Sequence, residues 1–128
     1  MAHVELAMHG IGIDAVDIPR FRDLLERRPT LRTRLFTPHE IAQLADQADD
    51  SASLAARFAV REATMKALGV GLGAFDFHDV AVDRAESGQP RLIVSGRAAD
   101  LAAHVGVTRW QVSITHTDTV AVAVVAAL

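Results

Sequence analysis

The 128-residue chain has no cysteine and no tyrosine. Without cysteine there are no disulfides, thiolate nucleophiles or thiolate metal sites. Any metal must therefore be held by oxygen or imidazole ligands. Aromatic residues are few, five Phe and one Trp, which leaves little to stack on nucleic-acid bases. Basic charge is also short: the formal net charge is -3, the wrong sign for a general nucleic-acid binder. A long apolar run is missing. The most apolar stretch, Val120–Leu128, is too short to cross a bilayer as a helix. The segment Met1–Gly10 has no basic region followed by an apolar one. The expectation is a cytoplasmic, non-membrane protein. Lysine is nearly absent: Lys66 stands alone among 13 basic residues, the rest being arginine.

The chain is long enough to bury a core in one domain, set at 10–128 after a leader of 1–9. Ile11, Ile13, Val16 and Ile18 alternate as a strand ending near Asp14. Pro19 opens a helix carrying Phe21, Leu24 and Leu25, which Pro29 ends or restarts. Thr37-Pro38-His39-Glu40 is a helix start, with Thr37 as cap and Glu40 three residues on. Asp46–Asp50 reads as a solvated connection. A long helix follows, capped by Ser51 or Ser53, to about Gly69. Gly69, Gly71 and Gly73 then stop it. They follow a helix rather than a strand, so they are not a dinucleotide fingerprint.

Phe75, Phe77, Val80 and Val82 suggest a strand that includes His78, turned at Glu86–Pro90 into Leu92–Val94. A short Ala-rich helix spans Gly96–Val105, and strands at Trp110–Ile114 and Val120–Val125 flank a polar turn, Thr115–Thr119. The fold expected is α+β, an antiparallel sheet packed against a long helix.

Four places carry candidate chemistry. On the long helix Arg57 and Arg61 are four apart, as are Glu62 and Lys66, so each pair shares a face. Phe58, one turn before Glu62, puts that acid at the border of the packed face, where a carboxylate needs a partner. Asp14 ends the first strand, and with Glu62 it makes an oxygen pair suited to Mg²⁺ once phosphate oxygens join. The alternative is helix salt bridging and a strand-end acid. Between Pro19 and His39, Arg20, Arg22, Arg27, Arg28, Arg32 and Arg34 face only Asp23 and Glu26, a local balance of +4. That is either a soluble helix surface or a docking patch for an acidic partner. His116 sits in Ser113–Asp118, a polar turn between apolar strands of the kind where binding groups cluster. No histidine pair has zinc spacing.

Taken together these segments resemble one family. Gly10-Ile11-Gly12-Ile13-Asp14 through Arg20-Phe21, Phe36–Glu40, Arg57–Ala63 closing with Lys66–Gly69, Gly88-Gln89-Pro90 and Ser113–Thr117 resemble the holo-[acyl-carrier-protein] synthases. These are the small bacterial class of 4′-phosphopantetheinyl transferases. The family usually has lysine where this chain has Arg61.

The resemblance implies transfer of 4′-phosphopantetheine from coenzyme A to a serine of apo acyl carrier protein, releasing 3′,5′-ADP. It implies Asp14 and Glu62 as Mg²⁺ ligands, and Glu62, Lys66 and Asp14 as the catalytic set. Glu62, or a metal-bound water, takes the serine proton. Arg57, Arg61, Lys66, His116 and Thr117 are implied to bind coenzyme A, and Arg20, Arg22, Arg27 and Arg28 to receive the acidic carrier. It also implies a homotrimer. The rival readings are a carrier domain of a large fatty-acid or polyketide synthase as acceptor, a non-catalytic adaptor for an acidic carrier, and a small nucleic-acid protein.

Overall fold

A computed structural model describes residues 8–128. Residues 1–7, and with them most of the expected leader, lie outside it. The chain order begins β1 (Gly10–Asp17), α1 (Ile18–Arg27), α2 (Leu31–Leu35), α3 (Pro38–Gln43) and α4 (Ser51–Leu68). It continues with β2 (Val80–Arg84), β3 (Pro90–Val94), α5 (Gly96–His104), β4 (Trp110–His116) and β5 (Val120–Ala127). This is the expected α+β domain with a long helix against an antiparallel sheet. No helix among the described residues is long and apolar enough to cross a membrane.

The strands form two sheets rather than one. β5 lies between β1 and β4, antiparallel to both, and β2 pairs with β3 as a separate hairpin. The chain's first and last strands are thus neighbours, with Asp14 opposite Ala123 and His116 opposite Ala121. Gly12, Asp14 and Val16 share the face of β1 that meets α4.

Two glycines set how close that meeting is. A Cβ on Gly10 would lie 1.8 Å from the Ala67 carbonyl oxygen, and one on Gly12 would lie 1.9 Å from that of Ala63. No other residue permits this approach. Ala59, Val60 and Ala63 are fully buried and pack with Ala123, Val125 and Val80. A second core joins Ile18, Phe21, Leu25, Phe36 and Leu44 to Leu54 and Ala55 at the start of α4.

Local caps follow the sequence with two exceptions. Thr37 and Glu40 form the reciprocal box at α3, and α4 ends on Gly69 in the left-handed region (φ 69°). Ser51, however, is the first residue of α4 and Ser53 lies inside it. The cap position is Asp50, whose carboxylate is committed to Arg32. The expected strand through Phe75–His78 is corrected as well. Asp76 caps a 3₁₀ turn at Phe77–Asp79, and strand geometry starts only at Val80. His78 belongs to that turn and donates from Nε2 to the Thr33 carbonyl (2.8 Å).

Candidate functional site

The close contact of β1 with α4 brings Asp14, Glu62 and Lys66 together. Lys66 Nζ donates to the Ile13 carbonyl (2.9 Å) and to Asp14 Oδ1 (3.3 Å). Burial pushes the Glu62 carboxyl above its ordinary value. The charge of Asp14 adds to that shift, and Lys66 opposes it. Two carboxylates close enough to repel, beside one ammonium, form an electrostatically loaded edge. Asp14 also lines a cleft with Asp17, Arg20, Phe21, Arg27 and Phe58. The acid therefore opens towards α1.

Arg20 and Arg27 are seven apart on α1, two helical turns, and so share this face. Arg27 is only loosely held, by a surface pair with Asp23 (3.1 Å). Arg22 differs from the expectation. It lines another cleft, with Leu25, Glu26 and Arg32, and pairs with Asp49 at 3.0 Å. Two positions from Arg20 is the wrong spacing to share its face. Arg28, past the end of α1, is exposed.

A third cleft, of about 210 Å³, lies between α4, the β2–β3 hairpin and the end of β4. Ser53, Arg57, Arg84, Gly88, Pro90, Ile114 and His116 line it. Arg57 is 3% exposed, and its Nε has no hydrogen-bond partner among the described residues. Burial lowers its pKa below the usual arginine value. Glu40 opposes that shift, and the neighbouring charges of Arg84 and Arg61 add to it. His116 donates from Nδ1 to the Thr117 carbonyl (3.1 Å), which leaves Nε2 free. Thr117 Oγ1 accepts from the Thr119 and Val120 amides (3.2 and 3.1 Å), so Thr117 holds the turn that presents His116.

The cationic cleft and the acidic edge are not one site within a single chain. Arg57 and Glu62, five residues apart, point roughly 140° from each other around α4. Asp14 lines one cleft, and Arg57 with His116 lines the other.

Arg61 corrects the expectation of a ligand contact. It is fully buried. Its guanidinium donates from both Nη atoms to Glu40 (3.0 and 2.5 Å), from Nε to the Phe77 carbonyl (2.8 Å) and from Nη1 to the Arg57 carbonyl (3.3 Å). It also lies 5.0 Å over the Phe36 ring. No phosphate reaches a group so enclosed. The sequence reading missed Glu40 as its counter-ion and missed Arg84. Glu40 shows in the sequence only as a capping-box acid, and Arg84 only as a cation four residues before Gly88.

Comparison with known proteins identifies the family. A family model described as the 4′-phosphopantetheinyl transferase superfamily matches residues 10–125. The chain is 49% identical over 118 residues to the holo-[acyl-carrier-protein] synthase of Streptomyces griseus subsp. griseus, covering 92% of this chain and 96% of that protein. With the Moorella thermoacetica synthase it shares 44% over 113 residues, 88% of each. A solved structure of the Helicobacter pylori synthase in complex with coenzyme A superposes with TM-score 0.78 at 32% identity, covering 90% and 96% of the two chains. The chain belongs to the 4′-phosphopantetheinyl transferase superfamily, in its holo-[acyl-carrier-protein] synthase family. It is an enzyme, and the activity of that family is transfer of 4′-phosphopantetheine.

Proposed function

We propose that this chain moves 4′-phosphopantetheine from coenzyme A to a serine of an acidic apo acyl carrier protein. The observation that carries the reading is the meeting of Asp14, Glu62 and Lys66 where Gly10 and Gly12 let α4 touch β1. In the reaction the serine oxygen forms a bond to the β-phosphorus. The bond from that phosphorus to the oxygen of 3′,5′-ADP breaks, and the serine proton passes to a base. Glu62 is that base. Burial raises its carboxyl, which makes the carboxylate a better proton acceptor than an exposed glutamate; the further rise caused by Asp14 is the part a bound cation would offset. Lys66 offers an ammonium to the phosphoryl oxygens.

Asp14 and Glu62 fit a hard divalent cation such as Mg²⁺. Both are oxygen donors, and the repulsion between them is what such a charge relieves. No group of three His, Asp or Glu forms a ready-made cage among the described residues. Phosphate and water oxygens would supply the other ligands. The ion, when bound, neutralises charge on the pyrophosphate.

Arg57, Arg84 and His116 give a cationic cleft for the nucleotide end of coenzyme A, including its 3′-phosphate. Arg20 and Arg27, beside Asp14, suit the acidic carrier. A homotrimer reconciles the two separated half-sites, because a neighbouring copy can bring its cleft to this copy's acids. The outward face of the three-stranded sheet supports an assembly: Ile11 and Ile13 are 60% and 59% exposed there. Cytoplasmic location follows from the substrates.

The test is the intact mass of apo acyl carrier protein after incubation with this protein, coenzyme A and Mg²⁺. A gain of one phosphopantetheine, abolished by EDTA and lost for the most part with Glu62→Gln, is expected. No gain on a free carrier or on a synthase carrier domain would overturn the reading. Unchanged turnover of Glu62→Gln at saturating Mg²⁺ would remove its role as base.

A further inference from the structure

The buried carboxylate of Glu40 touches both walls of the cationic cleft. On the α4 side it holds the Arg61 guanidinium through two hydrogen bonds, and its Oε2 lies 3.9 Å from Arg57 Nε. On the hairpin side the same Oε2 accepts from the Val82 amide at 3.1 Å. Val82 is two residues before Arg84, so the two side chains leave the same face of β2. Its other oxygen accepts from the Thr37 amide (2.9 Å), which fixes the carboxylate to its own helix start.

Arg57 itself has few other restraints. Among the described residues its one hydrogen bond is a long one, Nη1 to the Ser53 carbonyl at 3.4 Å. Its Nε has none, although the side chain is almost wholly buried. A guanidinium carries five donors, and among the described residues one of them, on Nη1, meets an acceptor. Glu40 is the anion that keeps the group in place without filling it. Arg61 neutralises the rest of the carboxylate charge and binds α4 to the Phe77 carbonyl, just ahead of β2.

We infer that Glu40 is a positioning residue for coenzyme A. With Arg61 it sets the gap between Arg57 and Arg84, so that the cleft fits the 3′-phosphate. The inference rests on the reading of this cleft as the nucleotide site.

The experiment compares KM for coenzyme A with KM for dephospho-coenzyme A, which lacks that phosphate. It uses wild type, Glu40→Gln, and a charge-neutral Glu40→Gln/Arg61→Met pair that avoids leaving a buried cation unpaired. Each is also measured in an Arg57→Ala background, with folding checked by circular dichroism and titration calorimetry of 3′,5′-ADP alongside. The expected result is a rise of about tenfold in KM for coenzyme A, the scale of one lost charge-assisted hydrogen bond. The KM for dephospho-coenzyme A should move far less, so the preference collapses. In the Arg57→Ala background the Glu40 change should add nothing further to the ratio. A folded pair that keeps the wild-type preference, or effects that add fully to those of Arg57→Ala, would overturn the inference. A wild type with no preference between the two donors would instead overturn the cleft reading itself.

Discussion

Substituting Gly12 with alanine tests the step from sequence to site most directly. The added Cβ would sit 1.9 Å from the Ala63 carbonyl oxygen, 2.8 Å from its carbon and 2.9 Å from the Ala67 nitrogen. These are backbone atoms in mid-helix, so no side chain can swing aside. Ordinary contact needs a further shift of roughly 1.5 Å between α4 and β1, against interiors packed as densely as crystals. Overpacking of this kind costs about 1–3 kcal/mol, and backbone clashes fall at the upper end. The same shift pulls Lys66 and Glu62 away from Asp14, whose contact with Lys66 is only 3.3 Å now. A displacement of ~1 Å at a reacting centre costs on the order of 100-fold in rate. Urea denaturation should therefore show a loss of about 3 kcal/mol, and the carrier mass assay a drop of about 100-fold in turnover of the folded fraction. Gly71→Ala is the control for stability. Its Cβ would meet nothing within 4 Å, so stability should change little. Gly12→Ala with wild-type stability and turnover would refute the argument that glycine at this position lets the helix form the site.

Asp79 caps α5 from a distance: its Oδ2 accepts from the Arg97 and Ala98 amides at 3.0 and 3.3 Å. Asp79→Ala should cost about 1–2 kcal/mol in urea denaturation, and a change near zero would show that the cap is idle. Reversing Arg20 and Arg27 to glutamate should raise KM for the carrier about tenfold while leaving KM for coenzyme A nearly fixed. Arg22→Glu should do much less, because Arg22 faces Asp49, and equal effects would place docking elsewhere.

Stability against pH should carry two opposed signatures. Burial raises the Glu40 carboxyl, but the Arg61 hydrogen bond and charge and the Thr37 and Val82 amides outweigh it, so its value in the fold is lowered from 4.5. Its contribution is present above the unfolded value and is lost as pH falls through the folded one. Glu62 is raised from 4.5, so its contribution is present below the unfolded value and is lost as pH rises through the folded one. Relative to Glu62→Gln, the wild type should lose stability as pH climbs out of that window. A parallel pair of curves would refute the assignment.

What the sequence made legible was local. The strand after Gly10, the Thr37 box and the glycine stop after α4 each depend on near neighbours and stand in the fold, although Ile18 starts α1 and Ile11 and Ile13 lie on the exposed face of β1, opposite Val16. Asp14, Glu62 and Lys66 were legible as candidates because one strand and one helix face carry them, but Asp14 lies in mid-strand, three residues before β1 ends at Asp17, and not at the strand end the sequence suggested. The rest depends on partners far along the chain. Arg61 is 21 residues from Glu40, and Asp79 is 18 and 19 from the amides it caps. No periodicity announces such pairs. Phe75 and Phe77 mimic a strand's alternation, yet Asp76 between them caps a turn and wins locally. The division into two sheets was equally hidden, because β1 pairs with the last strand, about a hundred residues away.

Arginine at position 61, where the family usually has lysine, looks from sequence like a change at the phosphate. The fold puts it inside instead. On α4, residues 57 and 61 share a face, but the helix start at Glu40 closes over residue 61 and leaves residue 57 at the cleft. There the guanidinium's fork matches Glu40 with two bonds, while Nε and the remaining Nη1 hydrogen reach the Phe77 and Arg57 carbonyls. An ammonium has three donors and no plane, so it could not meet the same four acceptors or stack over Phe36. The substitution thus acts on the architecture beneath the cleft. Under the proposed function the phosphate contacts then fall to Arg57 and to Lys66, the chain's one lysine, whose ammonium is a compact point charge.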